Sequence, residues 1–202
     1  MANGILTISG DAAGTTGGMA WRGGATHGRW EARMKSPVAD PTYNAVMLLW
    51  PDADDFPAGG EIDFMEIGDE TRQKTDFFLH YGASDRQLHG EVAIDATQWH
   101  NWAVEWTPDH ITAYVDGQEW YTTTRTDAFP PGPMHLTLQL DWFPKGDGTV
   151  APSTMSADWV RYYPVDGSGA SGATAGDTAT STTTAIVPAD SGTTTPATPA
   201  AG

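Results

Sequence analysis

Cysteine is absent from the 202 residues, which excludes disulfide staples and thiolate metal sites and leaves the redox compartment open. Basic residues are scarce: 10 Lys and Arg stand against 26 Asp and Glu, a formal net charge of -16. Such a chain repels polyphosphate, so nucleic acid and anionic membrane surfaces make poor partners and neutral ligands suit it better. No run of about 18 apolar residues exists to span a bilayer as a helix. Met1-Ala2-Asn3-Gly4 leads straight into a strand-like segment, without the basic and then apolar pattern of a secretory signal.

Helical periodicity is missing as well. Residues 4–165 read instead as short strands separated by Gly, Pro and Asp turns. Trp30, Ala32 and Met34 alternate with Arg29, Glu31, Arg33 and Lys35, and Leu136, Leu138 and Leu140 alternate with His135, Thr137, Gln139 and Asp141. Each stretch implies one buried and one wetter face. Ala45 through Trp50 is apolar throughout, as a central strand covered on both sides would be. Asp116-Gly117 between two strand-like runs is a tight hairpin signal. The sum is an all-β sandwich, with one domain over 1–165. From about Asp166 Ser, Thr, Ala, Gly and Pro take over, and all nine Trp lie upstream. A segment of that kind buries too little apolar surface to offset its ordering entropy, so 166–202 is expected to be a disordered linker or tail. Its Ile186-Val187 pair is an isolated aliphatic step in that linker.

What the chain does have is a crowd of carboxylates. Gly59-Gly60-Glu61-Ile62-Asp63-Phe64-Met65-Glu66 sets three of them within six residues of an otherwise apolar run. Glu61 and Asp63 share a strand face. Strict alternation would turn Glu66 away, and the extra residue of a β-bulge near Phe64-Met65 would turn it back. Three carboxyls on one face raise one another's pKa, so one stays protonated while another is an anion near neutral pH. Cleaving a glycosidic bond needs that division: an acid for the departing oxygen and an anion for the positive charge at the anomeric carbon. An acidic, solvated edge strand is the alternative, and Gly59-Gly60 with the surrounding aromatics suits a cleft better.

Glu61-Ile62-Asp63-Phe64-Met65-Glu66 resembles the Glu-x-Asp-x-x-Glu signature of glycoside hydrolase family 16, in the bulged form of laminarinase-type β-glucanases. Further likenesses lie in the same order along the chain. They are His27 through Lys35, Phe78-Leu79-His80-Tyr81-Gly82, Trp99 through Thr107 with Tyr114 to Gly117, and Ser156 through Tyr163. The resemblance implies a concanavalin-like β-jelly roll with a cleft on its concave sheet. It implies a retaining endo-hydrolase of β-linked polysaccharide, β-1,3-glucan or mixed-linkage β-1,3/1,4-glucan first. Galactans such as agar or carrageenan are the alternative, as is a non-catalytic carbohydrate-binding sandwich. By the same resemblance Glu61 is the nucleophile, Glu66 the acid and base, Asp63 the residue that holds Glu61, and His80 a supporting histidine beside them. Retention requires the working carboxyls to stand about 5–5.5 Å apart. Strand rise alone separates their Cα atoms by about 13 Å, so curvature and inward-leaning side chains must close the gap.

Trp50, Phe56 and Trp142 are the candidate sugar platforms, because a pyranose stacks its apolar face on a flat ring. Phe56 stands where the family usually has Trp, which keeps stacking and removes an indole donor. Trp102 and Trp106 alternate into the core. His89, His100 and His135 fall on strand-like stretches without metal-site spacing, and Asp52, Asp54 and Asp55 lack the pattern of a calcium loop. No cofactor is required by this chemistry. Asp158 matches the position from which family members offer a carboxylate to structural calcium, although the accompanying N-terminal ligands are not found. The resemblance further implies a monomeric, extracellular enzyme, and an additional N-terminal strand before Gly4-Ile5-Leu6-Thr7-Ile8, so a truncated start is expected.

Overall fold

The computed structural model describes residues 1, 3–145 and 149–165; the tail from 166, with Ile186 and Val187, lies outside them. Twelve strands follow in order: β1 (Leu6–Gly10), β2 (Gly18–Ala20), β3 (Gly28–Lys35), β4 (Tyr43–Pro51), β5 (Glu61–Ile67), β6 (Lys74–Tyr81), β7 (Arg86–Ala93), β8 (His100–Trp106), β9 (Ile111–Val115), β10 (Gln118–Thr123), β11 (Met134–Trp142) and β12 (Ser153–Tyr163). A single 3-10 turn, Thr126–Ala128, interrupts them among the described residues. The strands form two six-stranded sheets, β2-β11-β4-β5-β6-β7 and β1-β12-β3-β8-β9-β10. Every pairing is antiparallel.

Alternation builds the sandwich. On β3, Trp30, Ala32 and Met34 turn inward while the charged residues between them stay half-exposed. On β11, Leu136, Leu138 and Leu140 meet Ala45, Met47 and Leu49 of β4 in the same core, which Trp102 and Trp106 fill from β8. Each such aliphatic side chain contributes about 1.5–3 kcal/mol by leaving water. Asp116 and Gly117 turn the β9–β10 hairpin with φ of 49° and 79°, the paired left-handed geometry that this dipeptide accepts. β4 is central in the first sheet. Its Val46 and Leu48 are 2% and 1% exposed although they point away from the core, so the outer face of this sheet is recessed rather than open. β1 is an edge strand of the second sheet.

One buried cation ties the loop after β5 to both neighbouring strands. Arg72 is fully buried and its guanidinium meets carbonyls only: Nη1 donates to Ile67 at 2.6 Å and Asp69 at 3.1 Å, Nη2 to Tyr43 at 2.9 Å, and Nε to Pro37 at 3.3 Å. Burial pulls its pKa down to about 10. The fork supplies donors to the carbonyls of Tyr43 and Ile67, the first residue of β4 and the last of β5. Arg72→Lys keeps the charge but cannot serve four acceptors at once. It is expected to lose about 2–4 kcal/mol of unfolding free energy in a urea titration; a loss within about 0.5 kcal/mol would show that the carbonyls have other donors.

Candidate active site

The site begins with a register defect in β5. Against β4, Met65 pairs with Met47 and Asp63 with Leu48, which leaves Phe64 unmatched. Against β6, Asp63 faces Phe78 and Glu66 faces Asp76, three residues on one strand spanning two on the other. This is a β-bulge. Phe64 and Met65 can both sink into the core, each with no exposed surface, and Glu66 emerges on the same outer face as Glu61 and Asp63. Gly60 opens the strand at a φ of 79°, and a Cβ there would stand 3.1 Å from the His80 carbonyl oxygen, so only glycine enters β5 this way without strain.

Glu61 pairs in register with His80. His80 Nε2 lies 3.4 Å from Asp63 Oδ2 and Nδ1 lies 2.8 Å from Asp85 Oδ1. Gln87 Nε2 approaches the same Nδ1 at 3.3 Å. With its proton on Nδ1, His80 donates to Asp85 and turns an acceptor toward Asp63. Asp63 is 3% exposed and is hydrogen-bonded to Glu61. Burial, then the charge of Asp63, push Glu61 up to about 9. Burial, then the charge of Glu66, push Asp63 well above the carboxylate range. The pair therefore holds a proton at neutral pH. Glu66 is raised too, chiefly by burial, against the Asn44 amide, whose Nδ2 donates to Oε1 at 2.9 Å and favours the anion. A carboxyl shifted upward keeps its proton to higher pH than a free one, and the protonated form is what a departing oxygen needs.

Of the aromatic candidates, Trp50 and Phe56 come together. Their rings stack at 5.4 Å, Phe56 stands 5.7 Å from the His80 ring, and Trp50 Nε1 donates to Asp54. Phe56 remains 37% exposed, so this wall offers a free ring beside His80, the register partner of Glu61. Trp142 sits elsewhere. It shares the core-facing parity of Leu138 and Leu140, packs on Gly14 and has its Nε1 buried without a partner; the residue before it, Asp141, is the one that faces the carboxyls. His100 belongs to the other sheet and bonds Asp116. His89 and His135 each pair with a carboxylate, Asp76 and Asp52, both at 2.7 Å. Sequence reading missed Asn44, Asp76 and Asp141. Their signal was parity: each lies on the outer-face positions of a strand adjoining the site.

Glu61, Asp63 and His80 place one ligand atom each within 4.8 Å of one another and could hold a cation. Structural calcium at Asp158 does not fit. Its Oδ2 lies 2.6 Å from Arg33 Nη1, a cation where calcium would need further oxygens.

The family model for glycosyl hydrolases family 16 matches residues 2–161. A beta-glucanase of Acetivibrio thermocellus is 29% identical over 145 residues, which are 68% of this chain and 42% of that protein; the chain thus spans less than half of that relative. Among solved structures, LamAcat from Zobellia galactanivorans superposes with a TM-score of 0.71 at 22% identity, over 81% of this chain and 78% of that one. A hydrolase of a galactose-4-sulfate and 3,6-anhydrogalactose polymer gives 0.67 at 18% identity, over 81% of each chain. The two structures share the fold, and the match along nearly the whole described sandwich settles the lineage: the chain belongs to the glycosyl hydrolases of family 16.

Proposed function

We propose that the protein hydrolyses internal β-linkages of a neutral glucan, β-1,3 or mixed β-1,3/1,4, with retention at the anomeric carbon. The observation that carries this reading is the bulge that returns Glu66 to the face of Glu61 and Asp63. A sugar-binding surface needs rings and hydroxyl partners, and it gains nothing from burying three carboxyls against one another. The name of the A. thermocellus relative supports a glucan. The fold is shared with the sulfated-galactan hydrolase too, but the carboxyls gathered in the recess disfavour a sulfated polymer by repulsion. A polymeric substrate of this kind is met outside the cell, and the reading needs no metal.

The steps follow from the side chains. Glu61 attacks the anomeric carbon as Glu66 gives its proton to the departing oxygen. The proton shared by Glu61 and Asp63 passes to Asp63, which leaves Glu61 anionic for attack. His80 Nε2, facing Asp63, accepts a hydrogen bond from the protonated form. Glu66, now ionised, takes a proton from water, and the hydroxide displaces Glu61 with a second inversion. The sugar at the reaction centre lies against the Phe56 and Trp50 wall.

Glu61→Gln and Glu66→Gln are each expected to lower the rate of reducing-end release from soluble β-1,3-glucan by roughly 10²–10⁴-fold or more. Azide should restore turnover of an activated aryl glycoside to Glu66→Ala and yield an azide of retained configuration. Activity within a few fold of the parent in both Gln variants would refute the assignment.

Stability should move the other way. Glu61 titrates above its unfolded range, so its proton-bound form supports folding at low pH and that support is lost as pH rises from about 4.5 toward about 9. Glu61→Gln is expected to melt higher than the parent, by a margin that widens across that window; a constant or shrinking margin would show that Glu61 is not held protonated.

Asn44 supplies a further test. Its amide favours ionised Glu66, so Asn44→Ala should move the alkaline limb of kcat/KM to higher pH, because the acid keeps its proton longer. An alkaline limb that moves to lower pH would remove Glu66 from the acid's role.

A further inference from the structure

The cleft holds a fourth carboxyl that the reaction does not use. Asp141 pairs across the strands with Asn44, and Asn44 donates to Glu66 at 2.9 Å. Asp141 therefore stands one strand beyond the group that holds the acid. Its neighbours Leu140 and Trp142 pack against the core, so its own side chain takes the outer face, with Gln139. Gln139 Nε2 donates to Asp141 Oδ2 at 2.9 Å. Among the described residues Oδ1 meets no donor, and no Lys or Arg forms an ion pair with this carboxyl. Burial, together with the charge of Glu66, raises it to about 6, and its charge in turn adds to the upward shifts of Glu61 and Asp63. Asp141 is only partly buried and its Oδ1 stays accessible, so a ligand in the recess can reach it and complete its hydrogen bonds.

We infer that Asp141 binds substrate and sets specificity: its free oxygen accepts a hydroxyl of an uncharged sugar on the β4 and β11 side of Glu66, and it excludes a sulfate or carboxylate substituent at that place. This rests on the glucanase reading and extends it to a residue. A sugar hydroxyl donating to a carboxylate makes a charge-assisted bond. A sulfate ester in the same position would bring an anion against the Asp141 carboxylate itself, which no Lys or Arg among the described residues pairs with. A carboxyl that merely anchors Gln139 would do neither.

Two measurements separate these roles. In steady-state kinetics on soluble β-1,3-glucan, Asp141→Ala should raise KM roughly tenfold, the loss of one hydrogen bond to a charged group, with kcat changed by less than about threefold. In calorimetric titration of the Glu61→Gln protein, a neutral β-1,3-glucan oligosaccharide should bind better than its sulfated derivative. Adding the near-isosteric Asp141→Asn should shrink that preference by roughly tenfold. An unchanged KM, or a preference that Asp141→Asn does not alter, overturns the inference, and so does equal binding of the two oligosaccharides by Glu61→Gln. Should Asp141→Ala fail to fold, Asp141→Asn carries both measurements. Failure of the unsubstituted protein to cleave any β-glucan would sink the glucanase reading by itself, while the binding titration, which needs no turnover, still decides Asp141.

Discussion

Keeping several carboxyls together in a poorly solvated recess is the constraint on which the rest of this structure depends. Each would be at ease in water; side by side and desolvated, they cannot all ionise near neutral pH. Asp63 is nearly inaccessible, Glu61 and Glu66 are half-buried, and all three are shifted upward. The fold holds them there through the β5 bulge, which trades one ladder position for a common face and sends Phe64 and Met65 into the core. The energy to sustain this comes from the apolar layer beneath, where the leucines of β11, Met47 and Leu49 of β4 and the tryptophans of β8 are packed without contact with water.

Polar support around the site has a consistent form. Each outer-face histidine of the sheet that carries the three carboxyls is tied to a carboxylate: His80 to Asp63 and Asp85, His89 to Asp76, His135 to Asp52. Such pairs fix ring orientation in a face that has few cations to spare. Arg72 makes the opposite choice: its guanidinium hydrogen-bonds backbone carbonyls rather than a carboxylate. Lys74 brings a positive charge to β6, between Asp76 and Glu91. Glu61, Asp63, Glu66, Asp76 and Asp141 gather part of the acid surplus on this one face.

Much was legible in the sequence because period-2 alternation survives folding unchanged. The β3 and β11 patterns, the apolar run of β4 and the Asp116-Gly117 turn each fixed an element locally, and each element lies where its pattern pointed. The carboxyl spacing was legible too, since an acid at an odd offset from two others needs a bulge to join them. Asp141 and Trp142 show where such reading stops. Adjacent residues on a strand point to opposite faces, so whether the aromatic or the acid met the cleft depended on the parity of β11 at its end, and the aromatic residue was the more visible candidate.

By itself the sequence determined the sandwich class, the residues of the core and the three carboxyls of β5, because hydrophobic period and local spacing are properties of a single segment. Only the tertiary structure decided which residues from other strands join them. Asn44 reaches Glu66 because β4 lies beside β5, His80 reaches Asp63 because β6 lies on the other side, and Asp141 faces the group because β11 pairs with β4. Strand order is set by how whole sheets close over a shared core, and no segment carries that information alone.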